Sequence, residues 1–187
     1  MKRMFFLAGL LCFCSFALRA QTDFPPADKS PMDMSYFPAN FPLLKIQDKV
    51  SGPPVVRVIY SRPRKEGRLI FGGLITYGQV WRLGANEATE IEFYQPVTIG
   101  DKKIPAGRYT LYAIVNENSW TFIVNRDNDS WGAFKYDAAM DVVRVDVPAE
   151  QLTEPVELLS MSFTGSNTAI KLVVAWENSK AALPINF

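Results

Sequence analysis

The residues with the greatest capacity for chemistry fall between Tyr60 and Glu92. Arg62, Arg64, Lys65 and Arg68 lie within seven residues, Arg82 follows Trp81, and Asn86, Glu87, Glu90 and Glu92 come after. Guanidinium groups present rigid, paired donors that suit carboxylate, phosphate or sugar hydroxyls. Trp81 offers an apolar stacking plane, and Gly72, Gly73 and Gly84 let a backbone approach closely. The expected ligand-binding set is Arg62, Arg68, Trp81, Arg82, Asn86 and Glu87. Two guanidiniums held close repel unless an anion lies between them. The expectation is therefore one polar cleft for an anionic small molecule or a glycan. The rival reading uses the same residues: the arginines pair with Glu87, Glu90 or Glu92 in a structural ion network, and Trp81 is core.

Three other patterns carry weaker signals. Glu90 and Glu92 sit two apart on one strand face, the minimum for a carboxylate-dependent hydrolase or lyase acting on polysaccharide. Asn125-x-Asp127-x-Asp129 resembles the start of a calcium loop, but Ser130 and Tyr136 stand where that loop wants Gly and Glu. A polar turn explains it more simply. Trp131, Phe134 and Tyr136 would serve either a glycan platform or loop packing.

Composition excludes other chemistry. The chain has no histidine, and its two cysteines, Cys12 and Cys14, both lie near the N-terminus. No Ser-His-Asp or Cys-His constellation is available, nor a His-ligated metal. No cofactor and no metal site is expected. The first residues, MKRMFFLAGLLCFCSFALRA, have a basic start, an apolar run and a small residue at Ala20. That is the layout of a secretory signal peptide over 1–20, cleaved after Ala20, and it predicts an exported protein, periplasmic or extracellular. Losing Lys2, Arg3 and Arg19 takes the net charge from +1 to −2, which argues against nucleic acid as a partner. No membrane span is expected after cleavage.

The elements that must position these residues are strands. Residues 21–54 hold seven of the thirteen prolines and read as an extended Pro-rich arm, neither helix nor central strand. From Val55 to Phe187 short β-type runs follow one another: 55–61, 67–75, 79–83, 89–94, 108–115, 119–125, 142–147, 156–164 and 169–177. Ile91 and Phe93 alternate with Glu90 and Glu92, and Ile170, Leu172, Val174 and Trp176 share one face. Residues 132–140 and 148–152 alone have room for a helical turn. The expected fold class is all-β, a β-sandwich of jelly-roll type over 55–187. Several runs are shorter than the roughly 9–11 residues of an outer-membrane barrel strand.

Taken together, Ser35-Tyr36-Phe37-Pro38, Tyr60-Ser61-Arg62-Pro63, Gly67-Arg68-x-Ile70-Phe71-Gly72, Val80-Trp81-Arg82-x-Gly84-Ala85-Asn86-Glu87-Ala88-Thr89, Pro105-Ala106-Gly107-x-Tyr109-Thr110-Leu111 and Trp131-Gly132 resemble an exported family found mainly in Bacteroidetes, domain-of-unknown-function family 2911. The likeness spans roughly residues 31–187. It implies export and fold, and it implies no activity or catalytic residue. The function expected is a non-catalytic binding or envelope-interaction module. The polysaccharide hydrolase or lyase and a purely structural envelope protein are the alternatives.

Overall fold

The computed structural model describes residues 24–166 and 168–187, so the expected signal peptide lies outside the described residues. The chain folds as two antiparallel β-sheets packed face to face around one apolar core. The first sheet has seven strands. β1 (Met32–Phe37), β2 (Val56–Ser61), β4 (Thr89–Phe93), β7 (Gly107–Val115), β8 (Ser119–Asn125) and β9 (Asp141–Pro148) lie in that order, and β3 (Val80–Trp81) pairs with β7. The second sheet runs β10 (Glu150–Gly165), β11 (Ala169–Asn186), β5 (Val97–Ile99), β6 (Lys102–Ile104). Among the described residues no helix is long and apolar enough to cross a membrane.

Period two decides which side chains go inside. On β2, Val56, Val58 and Tyr60 are buried, and on β4 Thr89, Ile91 and Phe93 are buried while Glu90 and Glu92 face outward. β11 begins in the same way, burying Ile170, Leu172, Val174 and Trp176. It then changes phase, burying Glu177, Ser179, Ala181, Leu183 and Ile185. The change occurs at Glu177, which has φ 50°, and the pairing with β10 shifts register there. The extra residues of this irregularity lie on β10, and the positive φ at Glu177 turns the second half of β11 over without ending the strand. Near this point Phe71, Trp81, Trp120 and Trp176 form an aromatic cluster, with Trp81 stacked on Trp176 at 6.0 Å between ring centroids.

The arm differs from its expected form in two ways. Its residues 32–37 are β1, an edge strand paired antiparallel to β2 from Met32↔Ser61 to Phe37↔Val56. Pro31 and Pro38 flank it, where a missing N–H costs the sheet nothing. Its residues Phe41–Ile46 are a one-and-a-half-turn helix, α1, with Pro42 in the first turn. Proline is tolerated there because the first N–H groups of a helix have no partner in any case.

Residues 67–75 are the larger correction: they form a tight loop. The amide of Ile75 donates to the carbonyl of Ile70 at 2.8 Å and that of Leu74 to Leu69 at 3.1 Å. A Cβ on Gly73 would sit 2.5 Å from the carbonyl oxygen of Leu69, so only glycine allows this closure. The amides of Ile70 and Phe71, which a strand would give to a neighbour, donate to the Glu177 carboxylate at 3.2–3.3 Å. The run expected at 79–83 shortens to Val80–Trp81, since Leu83 turns to φ 55°. Residues 148–152 hold no helical turn and run into β10, and 132–140 keep only a short 3-10 turn at Ala138–Met140.

A candidate binding groove around Arg82

The turn after β3 carries three of the six expected site residues. Gly84 presses it against β2, where an added Cβ would lie 2.8 Å from Ser61 Oγ. That hydroxyl donates to the Ala85 carbonyl and accepts from the Ala85 amide, both at 2.6 Å. Asn86, at φ 60°, accepts at its carbonyl from the Gly132 amide at 2.9 Å, and the Ala88 amide donates to the Ser130 carbonyl at 2.9 Å. Glu87 and Trp131 are thus bridged as in a minimal antiparallel pair. The turn at 83–88 thereby seats the loop at 130–134, and Arg82, Asn86 and Glu87 become neighbours of Trp131 and Phe134. Gly132 has φ 72°, and a Cβ there would lie 2.7 Å from the Phe134 ring and 3.1 Å from Arg82 Nη1. Ring and guanidinium therefore converge on one glycine.

Of the other three, Arg62 and Arg68 go elsewhere, and Trp81 is mostly core. Arg62 spends all three guanidinium nitrogens on structure: Nη1 to Asp33 at 2.9 Å, Nη2 to the Ser160 hydroxyl at 2.8 Å, and Nε to the Leu159 carbonyl at 3.1 Å. It ties β1 and β10 to the end of β2. Arg68 folds back on its own turn, donating to the carbonyls of Arg64 and Lys65. Trp81 is 6% exposed, and its indole donates to the Gly84 carbonyl at 3.1 Å. It is core, and it contributes to the lining of the smaller concavity beside Arg82. The expected single cleft is therefore divided. β2 ends at Ser61, and the chain then crosses to β10 rather than turning back as a hairpin, so Arg62 and Arg68 do not share an anion with Arg82.

Two concavities meet at Phe134. One, of about 310 Å³, is lined by Leu74, Ile75, Thr76, Gln79, Arg82 and Phe134 among others. The second, of about 470 Å³, includes Tyr112, Asp127, Asn128, Trp131, Phe134 and Tyr136. Trp131 is 60% and Phe134 81% exposed, so each presents most of its ring to solvent. Arg82 donates from Nε to the Gly84 carbonyl at 3.3 Å, and among the described residues no carboxylate oxygen lies within 4.0 Å of its guanidinium. Burial and then the hydrogen bond to Asp141 push the Tyr136 hydroxyl up to about 12, so it stays protonated and donates to Asp141 at 2.6 Å. Trp131 and Phe134 stood outside the expected set. The sequence signal for them was Trp131-Gly132-Ala133-Phe134, a glycine between aromatics at a position needing positive φ.

The strand glutamates are held in ion pairs. Glu92 meets Arg57 at 2.5 Å and accepts from the Tyr94 hydroxyl at 2.8 Å, and Glu90 meets Arg108 at 3.1 Å. Burial pushes the Glu90 carboxyl up, with Arg108 opposing. A carboxyl raised on folding binds its proton more tightly in the folded state than in the unfolded one. Ionising it therefore costs stability as pH rises past the ordinary carboxylate range. Glu90→Gln mimics the protonated form, and we expect its melting temperature at neutral pH to equal or exceed that of the wild type. Melts from pH 4 to 8 check this, with a narrowing advantage toward acid. Asn125, Asp127 and Asp129 form a turn. Asn125 accepts from the Asp127 amide, Asp127 from the Ser130 hydroxyl, and Asp129 pairs with Arg108.

A family model described as a protein of unknown function (DUF2911) matches residues 42–185. No curated protein and no solved structure matches the chain.

Proposed function

We propose that this chain, which belongs to the DUF2911 family, is an exported, non-catalytic binding domain for a glycan or another anionic ligand, and that the groove around Arg82 is its site. One observation carries the reading: a half-buried arginine with no carboxylate partner among the described residues lines one concavity with the largely exposed ring of Phe134, and that ring also lines an adjoining concavity that holds the exposed Trp131. Exposed aromatic rings beside polar side chains suit sugars, whose faces are apolar and whose edges are hydroxylated. A guanidinium adds paired donors for a carboxylate or phosphate. Carboxylate-driven hydrolysis draws no support from Glu90 and Glu92, each engaged by an arginine. Export rests on the layout of residues 1–20.

Calorimetric titration with oligogalacturonides, alginate oligomers, sialyllactose and inorganic phosphate tests the site. We expect at least one of these anions to bind. Arg82→Ala and Phe134→Ala should each weaken that binding at least tenfold while melting within a few degrees of wild type. Binding that survives both substitutions, or no binding across the panel, contradicts the reading.

A further inference from the structure

Resting on that reading, we infer that the ligand is an oligosaccharide of at least two units with a single uronic acid, whose carboxylate meets Arg82 on one side of Phe134 while a neutral unit occupies the other side. The two concavities differ in charge although they share one ring. The smaller holds the unpaired guanidinium of Arg82 with Thr76 and Gln79, and no acidic residue lines it. A carboxylate placed there meets a cation and neutral donors. The larger is lined by Asp127 and Asp129 and by the exposed Lys135. Arg108 neutralises Asp129 at 2.8 Å, whereas Asp127 has only the Ser130 hydroxyl, at 3.0 Å. A second carboxylate there would meet two aspartates as well as Lys135, so it gains less than beside Arg82, where no acidic residue lines the wall. Sugar hydroxyls would donate to Asp127, as they do to any ionised carboxylate.

Phe134 sets the length. Its ring rests on Gly132, where a Cβ would lie 2.7 Å away, and it lines both concavities. A single sugar on either side covers one flank of the ring. Two linked units cover both, and the second gains Trp131, which lines only the larger side. Linking two weak sites in one molecule raises affinity well beyond either alone.

The experiment is a calorimetric comparison of three probes in each of the gluco, galacto and manno series: the monomeric uronic acid, the neutral disaccharide, and the disaccharide carrying one uronic acid. We expect the mono-acidic disaccharide to bind at least tenfold more tightly than both others in at least one series. Arg82→Ala should bring it level with the neutral disaccharide, and Trp131→Ala should bring it level with the monomeric acid. If monomer and disaccharide bind alike, the two-unit assignment fails. If neutral and acidic disaccharides bind alike, the Arg82 assignment fails. Either result leaves a glycan site standing, whereas no binding by any probe removes this inference, and the reading beneath it falls only if the wider anion panel fails too.

Discussion

Trp81→Ala is expected to destabilise the fold by about 3–5 kcal/mol, the range for removing a large aromatic side chain from a core. Trp81 stacks on Trp176 and meets Phe71 and Trp120 edge-on, all at ring-centroid distances of 6.0–6.1 Å. Removing the indole leaves a cavity bounded by three aromatic rings, which cannot close without moving both sheets. It also removes the donor to the Gly84 carbonyl, in the turn that seats Trp131 and Phe134. Chemical denaturation measures the loss. The neighbouring Arg82→Ala is the control, since its side chain faces the groove. A Trp81→Ala variant as stable as wild type that has lost only ligand binding would return Trp81 to the site and take it out of the core.

Glu177→Ala is expected to cost about 3 kcal/mol, a loss at the level of breaking a buried charged pair. Glu177 is 8% exposed, and its carboxylate receives the amides of Ile70 and Phe71, with Lys65 at 3.7 Å. Alanine leaves two buried donors without an acceptor. Glu177→Gly loses the same acceptor but relieves the left-handed backbone at φ 50°, worth about 1 kcal/mol. Glycine should therefore be the milder substitution, the reverse of the usual order in a strand. Denaturation of the two variants sets the order. Hydrogen exchange should show the Ile70 and Phe71 amides losing protection in both. Equal stability of Glu177→Ala and wild type would mean that another group holds the 67–75 loop.

The half-buried strands were legible because one face meets the core and the other meets water. Alternation therefore marks β2, β4 and the first half of β11 directly. Two features were hidden for one shared reason. Leu69-Ile70-Phe71 looks like a strand, but the acceptor that bends it, Glu177, lies 106 residues from Phe71 in sequence. The same Glu177 reverses the phase of β11, and nothing local marks a glutamate for positive φ. The helix at Phe41–Ile46 was missed because Pro42 was read as a breaker when it occupies the one turn that accepts it. Arg82, Asn86 and Glu87 lie together because one short turn carries them, although of the three only Arg82 lines either concavity. Arg62 was misplaced because its partners, Asp33, Leu159 and Ser160, come from distant strands.

The central claim, that the groove at Arg82 binds the ligand, has a direct readout in the four tryptophans. Trp81, Trp120 and Trp176 are buried, and Trp131 alone is exposed. Nitrogen-15 spectra of the four indole N–H groups, recorded while adding oligogalacturonides, alginate oligomers, sialyllactose or a disaccharide carrying one uronic acid, separate groove from core. At least one of these ligands is expected to shift the Trp131 indole saturably, to leave Trp120 and Trp176 in place, and to have no such effect in Arg82→Ala. A saturable ligand that leaves Trp131 unmoved, or a Trp131 resonance indifferent to every acidic oligosaccharide, would contradict the claim.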